Sequence, residues 1–367
     1  MWHEKVISIP KIVLMKQTPT FKIGKRLIGE NHKPLVIPEI GINHGGSIET
    51  AFKIVDAAKR AGAEIIKHQT HIPDDEMSLE AKLIKPGNAK ENIYKIIKKN
   101  SLSEENEFKL FKYIKKKSLI FLSTPFSRLA VDRLIKFGVQ AFKIGSGEFN
   151  NIPFLDYVMK FKLPIVVSTG MHSLQTVSKI VSYLKSKRAN FCLLHTTNLY
   201  PTPDHLVRLS SLLDMKKKFP DKVIGLSDHT ATNYSSFGAI TLGASIIEKH
   251  FIDHRGRKGP DISASIDEKN LKDLINGVNI LYLQRGGKKN YLHQEQVTRN
   301  FAFASVVSIE NIKKGEIFTK KNIWVKRPGN GEIKADKFYK ILGKKSKSNI
   351  KKNTQIKLRY LGKWLRK

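Results

Sequence analysis

Residues 35–41 read LVIPEIG, a short run that is apolar where it begins and carries a glutamate near its end. Seven later runs share this form, and turn residues bound each of them. They are EIIKHQT (64–70), LIFLSTP (119–125), AFKIGSG (141–147), PIVVSTG (164–170), FCLLHTTN (191–198), VIGLSDH (223–229) and SIIEKHF (245–251). Short apolar runs between turn signals are typical of buried strands, so the sequence predicts eight of them.

Helix-like segments separate most of these strands. In residues 47–61, Ser47 is a candidate N-cap, and Ala51, Ile54 and Ala58 fall on one face of a helix. Strands that alternate with helices indicate a parallel sheet. Eight such repeats over about 250 residues match the size of a closed (β/α)8 TIM barrel, which is the α/β fold that we predict.

The alternating pattern stops near residue 283, where a stretch rich in Gly and Lys begins. Short β-like runs without a long helix follow from residue 301, which predicts a small β-rich second domain. The expected organisation is an N-terminal extension and lead-in (1–32), the barrel (33–283), a linker (284–300) and the second domain with a basic tail (301–367). Residues 1–14 contain nothing that a barrel needs, so we expect either that Met15 is the functional start or that these residues are a dispensable extension.

The composition narrows the class of protein. Of the 367 residues, 40% are hydrophobic, which is enough for a buried core, and no apolar run is long enough to span a membrane. The single cysteine, Cys192, fits a reducing cytoplasm. The net charge of +34 suggests nucleic-acid binding, but the basic residues are scattered and form no basic–aromatic motif. We therefore favour a Lys-rich solvated surface that attracts an anionic substrate, and we expect no nucleic-acid or membrane partner.

Polar residues lie at the ends of the predicted strands, which is where a TIM barrel carries its active site. His229 and His250 end the seventh and eighth strands, and neighbouring strands lie about 4.8 Å apart. Closure of the barrel brings Glu39 on the first strand beside the eighth. Two imidazoles and a carboxylate suit a divalent transition metal. The alternative is a polar network without a metal.

The other strand ends supply two cations and a ring of hydrogen-bonding groups, namely Lys67, Thr124, Lys143, Ser146, Ser168, Asn198 and Ser227. Phosphate and carboxylate oxygens need such partners. A buried lysine without a partner is costly, so two lysines in barrel strands indicate an anionic ligand. A competing interpretation is that one lysine forms a Schiff base, as in lysine-dependent aldolases.

Other candidates are weaker. Gly45 and Gly46 follow the first strand but lack the fuller phosphate-loop patterns. His195 is expected to be a core or supporting histidine rather than a ligand. His68 and His71 flank the end of the second strand, where a substrate contact is conceivable.

Eight motifs in this order resemble the bacterial type of N-acetylneuraminate (sialic acid) synthase. They are EIGINHGGS (39–47), KHQTH (67–71), STPFS (123–127), KIGSGE (143–148), STGM (168–171), NLYPTP (198–203), GLSDHT (225–230) and KHF (249–251). FAFASVV (301–307) and VKRPGNG (325–331) are similar to the C-terminal antifreeze-like (SAF) domain of that family. The chain departs from the pattern in residues 1–14, after Tyr360, and at Thr196, where a cysteine is expected.

The resemblance implies a metal-dependent condensation of phosphoenolpyruvate with N-acetylmannosamine and water, which gives N-acetylneuraminate and phosphate. It assigns His229 and His250 to a metal, usually Mn²⁺, and the ring of lysines, hydroxyls and Asn198 to phosphoenolpyruvate. The implied catalytic residues are Glu39, Lys67 and Lys143. The implied sugar contacts are Gln69, Asn88, Tyr200, Phe301 and Arg327. Phe301 and Arg327 belong to the second domain and would reach the sugar from a partner subunit, which implies a domain-swapped homodimer.

Several alternatives stay open at this stage. The same chemistry could act on the precursor of legionaminic or pseudaminic acid, or on a 6-phosphorylated sugar. A nucleic-acid-binding protein would need a clustered basic face. An ice-binding module would leave the polar strand ends without a role.

Overall fold

The computed structural model describes residues 18–86 and 91–361. The chain divides into two compact units, one ending at Gly286 and the other beginning at Gly287. The predicted sugar contact Asn88 and the predicted extension at residues 1–14 lie outside the described residues.

The first unit is a closed parallel barrel that an antiparallel hairpin precedes. The barrel strands follow the chain in order, and the last pairs with the first, with His250 opposite Glu39. The hairpin consists of β1 (Thr20–Ile23) and β2 (Arg26–Gly29). The barrel strands are β3 (Leu35–Gly41), β4 (Ile65–Thr70), β5 (Ile120–Pro125), β6 (Phe142–Ile144), β7 (Ile165–Ser168), β8 (Phe191–Thr196), β9 (Ile224–Asp228) and β10 (Ile246–His250). The predicted TIM barrel is therefore confirmed, strand for strand.

Helices follow the barrel strands, as the alternating pattern predicts. They are α1 (Ile48–Arg60), α2 (Pro73–Glu76), α3 (Ile93–Asn100), α4 (Glu104–Lys116), α5 (Arg128–Phe137), α6 (Ile152–Met159), α7 (Leu174–Ser186), α8 (Ser210–Lys218), α9 (Tyr234–Thr241) and α10 (Glu268–Gln284). The Ser47 side chain accepts a hydrogen bond from the Thr50 amide and so caps α1, while Ala51, Ile54 and Ala58 are buried. The sequence signal for this helix was therefore the N-cap and the apolar face together.

Two apolar layers result from the alternation of side chains along each strand. One layer lies between the barrel and its helices, and the other fills the barrel where the strands begin. The hairpin contributes Phe21, Ile23 and Ile28 to the inner layer, so it belongs to the barrel core although the predicted barrel boundary was residue 33. Cys192 is fully buried in the same layer, and burial raises the pKa of its thiol well above the usual range. The polar residues at the strand ends therefore lie at the opposite end of the barrel.

The second unit has its own apolar core around an antiparallel pair of strands, β11 (Ser305–Ser308) and β12 (Ile323–Lys326). Two short helices, α11 (Gln296–Ala302) and α12 (Phe338–Ile341), accompany this pair. The stretch predicted as the β-like run FAFASVVS therefore begins as the end of a helix. No helix in the described part of either unit is long and apolar enough to cross a membrane.

Candidate active site

A cavity of about 140 Å³ opens where the barrel strands end. The predicted site residues of the barrel that the structure describes all line it: Glu39, Lys67, Gln69, Thr124, Lys143, Ser146, Ser168, Asn198, Tyr200, Ser227, His229 and His250. The structure thus brings together residues that span more than 200 positions of the sequence. Phe301 is exposed on α11 and Arg327 is exposed directly after β12, both in the second unit.

A larger cavity of about 460 Å³ lies between α7 and α8. Its charged residues, Arg208 and Asp214, are exposed, so water already solvates them. The smaller cavity instead buries several charges together. Because buried charges need partners, we place the candidate active site there.

Lys67 is an ammonium group held between two carboxylates. Its Nζ donates to Glu39 Oε1 at 2.6 Å and to Thr124 Oγ1 at 3.2 Å, and lies 3.8 Å from Glu248 Oε1. Burial alone would lower the pKa of Lys67, but Glu248 and Glu39 raise it above the usual value. Burial would likewise raise the pKa of Glu39, but Lys67 and then His250 bring it well below the usual range. Both groups are therefore charged at neutral pH.

The positive charge of Lys143 is less well compensated than that of Lys67. Its Nζ donates to Ser168 Oγ at 2.7 Å and to the Ile144 carbonyl at 3.1 Å, and lies 3.5 Å from Glu248 Oε1. Burial lowers the pKa of Lys143 below its usual value, and the attraction of Glu248 offsets this only in part. A bound anion would supply the missing negative charge. Of the two lysines, Lys143 is also the better candidate for the Schiff-base alternative, since a lower pKa makes the amine available.

Glu248 is a site residue that our sequence analysis left without a role. It lines the cavity, and its Oε1 accepts from Ser227 Oγ at 2.8 Å. Its Oε2 has no hydrogen-bond partner among the described residues, and the same holds for Asn198 Oδ1. Unsatisfied buried acceptors are rare, so a ligand in this cavity needs hydroxyl or N–H donors as well as negative oxygens. The sequence signal that could have identified Glu248 is its position two residues before His250, because this spacing places both side chains on one face of β10.

Gly170 is a second residue whose role depends on the tertiary structure. A Cβ atom at this position would lie 1.8 Å from Asn198 Oδ1 and 2.8 Å from Ser146 Oγ. The Gly170 amide also donates to Ser146 Oγ at 3.0 Å. A side chain at position 170 would therefore displace Asn198 or Ser146 from its place in the cavity wall.

His229 and His250 face each other with ring centroids 5.5 Å apart, and Tyr200 stacks on His229 at 4.2 Å. His229 Nδ1 donates to the Thr197 carbonyl at 2.9 Å, which leaves the lone pair on Nε2, 3.5 Å from Ser227 Oγ. Burial, and then the neighbouring His250, lower the pKa of His229 to about 3. His229 is therefore a neutral imidazole, which is the form that binds metal ions.

The two histidines fit a divalent metal as a partial ligand set. His250 Nδ1 is buried without a hydrogen-bond partner, and its Nε2 lies 3.7 Å from Glu39 Oε2. Asp261 Oδ2 lies 3.9 Å from His250 Nδ1, and burial raises the pKa of Asp261. Among the residues that the structure describes, no group of three or more His, Cys, Asp or Glu side chains converges to hold a metal. A metal at this pair would take its remaining ligands from water or substrate.

The remaining candidate histidines have other partners. His195 Nε2 donates to the Val207 carbonyl at 2.8 Å, and burial lowers the pKa of His195, as a core or supporting role requires. His68 lies behind the barrel wall, 3.2 Å from Glu107, and does not line the cavity. His71 contacts the site residue Gln69.

A barrel whose strand ends bury two lysines, two carboxylates and a pair of histidines defines an enzyme that acts on a small anionic substrate. Residues 54–290 match the NeuB family, and residues 303–358 match the SAF domain. The chain therefore belongs to the NeuB family.

Individual relatives agree with this assignment over most of the chain. The N,N'-diacetyllegionaminic acid synthase of Campylobacter jejuni is 36% identical, over 89% of this chain and 99% of its own length. A pseudaminic acid synthase of the same species is 34% identical, over 89% of this chain and 96% of its own. The crystal structure of an N-acetylneuraminic acid synthetase from Leptospira borgpetersenii matches with a TM-score of 0.70 and 28% identity, over 77% of this chain and 95% of that one.

Proposed function

We propose that this protein is a nonulosonic acid synthase, which condenses phosphoenolpyruvate with an N-acetylated amino sugar and water and releases phosphate. One observation carries the proposal: Lys67 and Lys143 are both buried at the strand ends with a ring of hydroxyls, in the same cavity as the histidine pair. The lysines suit a phosphate or carboxylate, and the histidines suit a Lewis-acidic metal. The relatives are synthases of acids of this class.

In this proposal, Lys67, Lys143 and the surrounding hydroxyls hold the phosphate and carboxylate of phosphoenolpyruvate in line for attack. The C3 carbon of phosphoenolpyruvate forms a bond to the aldehyde carbon of the open-chain sugar, while the aldehyde oxygen takes the electron pair of the broken carbonyl π bond and then a proton from solvent. Positive charge develops at C2, water adds there, and the C2–O bond to phosphate breaks. Glu39 is ionised and accepts hydrogen bonds from Lys67 and Gln69, so it can orient the water and take its proton.

His229 and His250 would hold a divalent metal, for which we propose Mn²⁺, and this metal would polarise the aldehyde oxygen of the sugar. Tyr200 fixes the His229 ring by stacking, and the Thr197 carbonyl fixes its tautomer. These two contacts keep the Nε2 lone pair available.

The sugar that we predict from the sequence motifs is N-acetylmannosamine, with N-acetylneuraminate as the product. The relatives support an alternative equally well, in which the product is legionaminic or pseudaminic acid. We also propose the swapped homodimer, in which the partner's Phe301 and the partner's Arg327 contact the sugar. Glu248 Oε2 and Asn198 Oδ1 are acceptors that sugar hydroxyls or acetamido N–H groups would satisfy.

The test is release of inorganic phosphate from phosphoenolpyruvate with a panel of sugars, with and without Mn²⁺. The panel contains N-acetylmannosamine, its 6-phosphate, and the diacetamido sugars that precede legionaminic and pseudaminic acids. We expect turnover with at least one sugar and only with Mn²⁺. No phosphate release with any of them would refute the proposed function. Borohydride trapping of an adduct between pyruvate and Lys143 would favour the Schiff-base alternative instead.

A further inference from the structure

The loop after β4 carries a chain of hydrogen bonds that ends on Glu39. Gln69 Nε2 donates to Glu39 Oε1 at 2.7 Å. Gln69 Oε1 lies 3.1 Å from His71 Nε2, and His71 Nδ1 lies 2.8 Å from Glu76 Oε2. The side chains of His71 and Glu76 are only 3% and 13% exposed. The four groups thus form one buried line from the cavity to the α2 helix.

The direction of each hydrogen bond in this line is fixed by chemistry. Glu39 Oε1 also accepts from Lys67 Nζ at 2.6 Å, so the Gln69 group that faces the same oxygen must be the NH₂, because two acceptors cannot share a hydrogen bond. The Gln69 carbonyl therefore faces His71, and His71 Nε2 must carry a proton. Glu76 is an acceptor at the other ring nitrogen, so it requires a proton on Nδ1 as well. Both requirements are met by an imidazolium ring paired with Glu76.

The far end of the line is itself held in place. Asp74 and Asp75 share the α2 helix with Glu76; Asp74 accepts from Tyr94 Oη at 2.6 Å, and Asp75 accepts from the Leu129 amide at 3.1 Å. The His71 ring stacks on Phe126 at 4.3 Å with an interplanar angle of 10°. These contacts leave the ring little freedom to turn its Nε2–H away from Gln69.

We propose that His71 and Glu76 are positioning residues, which set the amide orientation of Gln69 and through it the position of the Glu39 carboxylate. A reversed amide would turn an oxygen toward Glu39 and push the carboxylate away from Lys67 and from the reacting water. This role rests on the proposed function, in which Glu39 acts on water and Gln69 contacts the sugar. Neither His71 nor Glu76 lines the cavity, so neither is a catalytic residue.

The test compares turnover in His71→Phe, Glu76→Gln and Glu76→Ala with the parent enzyme. His71→Phe keeps the ring stacked on Phe126 but removes the donor, so kcat should fall about tenfold, with the KM for phosphoenolpyruvate unchanged. In Glu76→Gln the new amide can donate to Nδ1 of a neutral ring that keeps its Nε2–H, so kcat should stay within about twofold. Glu76→Ala leaves His71 Nδ1 without a partner, so the proton on Nε2 is no longer fixed. The kcat of this variant should lie between those of His71→Phe and Glu76→Gln.

A double-mutant cycle separates positioning from a general structural effect. If His71 acts through Gln69, then His71→Phe should change nothing further in a Gln69→Ala background. A tenfold loss in both backgrounds, or no loss in the parent background, would overturn the proposal. Circular dichroism at the assay temperature verifies that each variant is folded.

A measurement that does not depend on turnover tests the role of His71 separately from the proposed function. In ¹⁵N-histidine-labelled protein at neutral pH, the His71 resonances, assigned by their loss in His71→Phe, should show protons on both ring nitrogens. Glu76→Ala should lose the Nδ1 proton. A neutral ring with its proton on Nδ1 would overturn the proposed hydrogen-bond order even if the enzyme is active. Absence of turnover in the parent enzyme with doubly protonated His71 would refute the function alone.

Discussion

Asp228 and Lys249 form a buried ion pair on the outer side of the barrel wall, directly behind the candidate metal-binding histidines. They lie opposite each other on β9 and β10, their side chains are 1% and 0% exposed, and Lys249 Nζ lies 3.0 Å from Asp228 Oδ2. Lys249 also donates to the Thr230 carbonyl at 2.7 Å, and Asp228 accepts from the Thr230 amide at 2.8 Å and from Ser236 Oγ at 2.7 Å. Each residue of the pair is followed in the chain by one of the two histidines.

Asp228→Asn should therefore destabilise the barrel strongly. The substitution leaves a fully buried ammonium facing a neutral amide, and removal of one partner of a buried ion pair costs about 3–5 kcal/mol. For a domain of this size, about 3 kcal/mol corresponds to a fall in Tm of roughly 6–12 °C. The double variant Asp228→Asn with Lys249→Met should lose less than the sum of the two single variants, because it leaves no unpaired charge.

The assay is urea denaturation followed by far-ultraviolet circular dichroism, which reports mainly on the barrel helices. Asp221→Asn is the matched control, since Asp221 pairs with Lys185 at 2.8 Å but the two side chains are 51% and 42% exposed. That exposed pair should contribute less than about 1 kcal/mol. The reasoning is refuted if Asp228→Asn costs no more than Asp221→Asn, or if the double variant loses the full sum.

Three further predictions concern the site. Chelation should abolish phosphate release and Mn²⁺ should restore it, and His229→Ala and His250→Ala should each lose most activity while the protein stays folded; full activity in chelator would exclude the metal. Lys143→Met should raise the KM for phosphoenolpyruvate roughly 10- to 100-fold with little change in the KM for the sugar, because it removes a charge-assisted contact to the anion; an unchanged KM would remove this lysine from the phosphoenolpyruvate site. Mixing Arg327→Ala subunits with His250→Ala subunits, each inactive alone, should restore up to about half of the activity per mixed dimer if the second domains are swapped; no recovery after proven subunit exchange would refute the swap.

The sequence by itself determined the barrel, because a strand that is buried on both faces is a nearly continuous run of apolar residues. The length of that run therefore shows the length of the strand. The run LVIPEIG became β3 at Leu35–Gly41 without any shift, and the other barrel strands begin within one residue of their predicted starts. The parallel order also followed, since each helix between two strands returns the chain to the same end of the sheet. For the same reason, the polar residues at the strand ends had to meet in one cavity.

The hairpin at residues 20–29 was not predicted as part of the barrel. Its strands are only four residues long. The first buries alternate residues and the second buries only its last two, which is too short a signal to separate from a loop. Phe21 and Ile28 are buried because the barrel offers an open apolar end, which is a property of the closed sheet.

Only the tertiary structure decided which polar groups are partners. Glu248 and Lys67 are 181 positions apart in sequence and 3.8 Å apart in the barrel, and no local pattern encodes that distance. The close approach of Asn198 to Gly170, and the direction of the Gln69 amide between Glu39 and His71, likewise arise only in the folded barrel. The chemistry of each side chain follows from its residue type, so the sequence showed which kinds of groups the site contains. Charge compensation and hydrogen-bond direction depend on separations of a few ångströms, which exist only after the strands have closed.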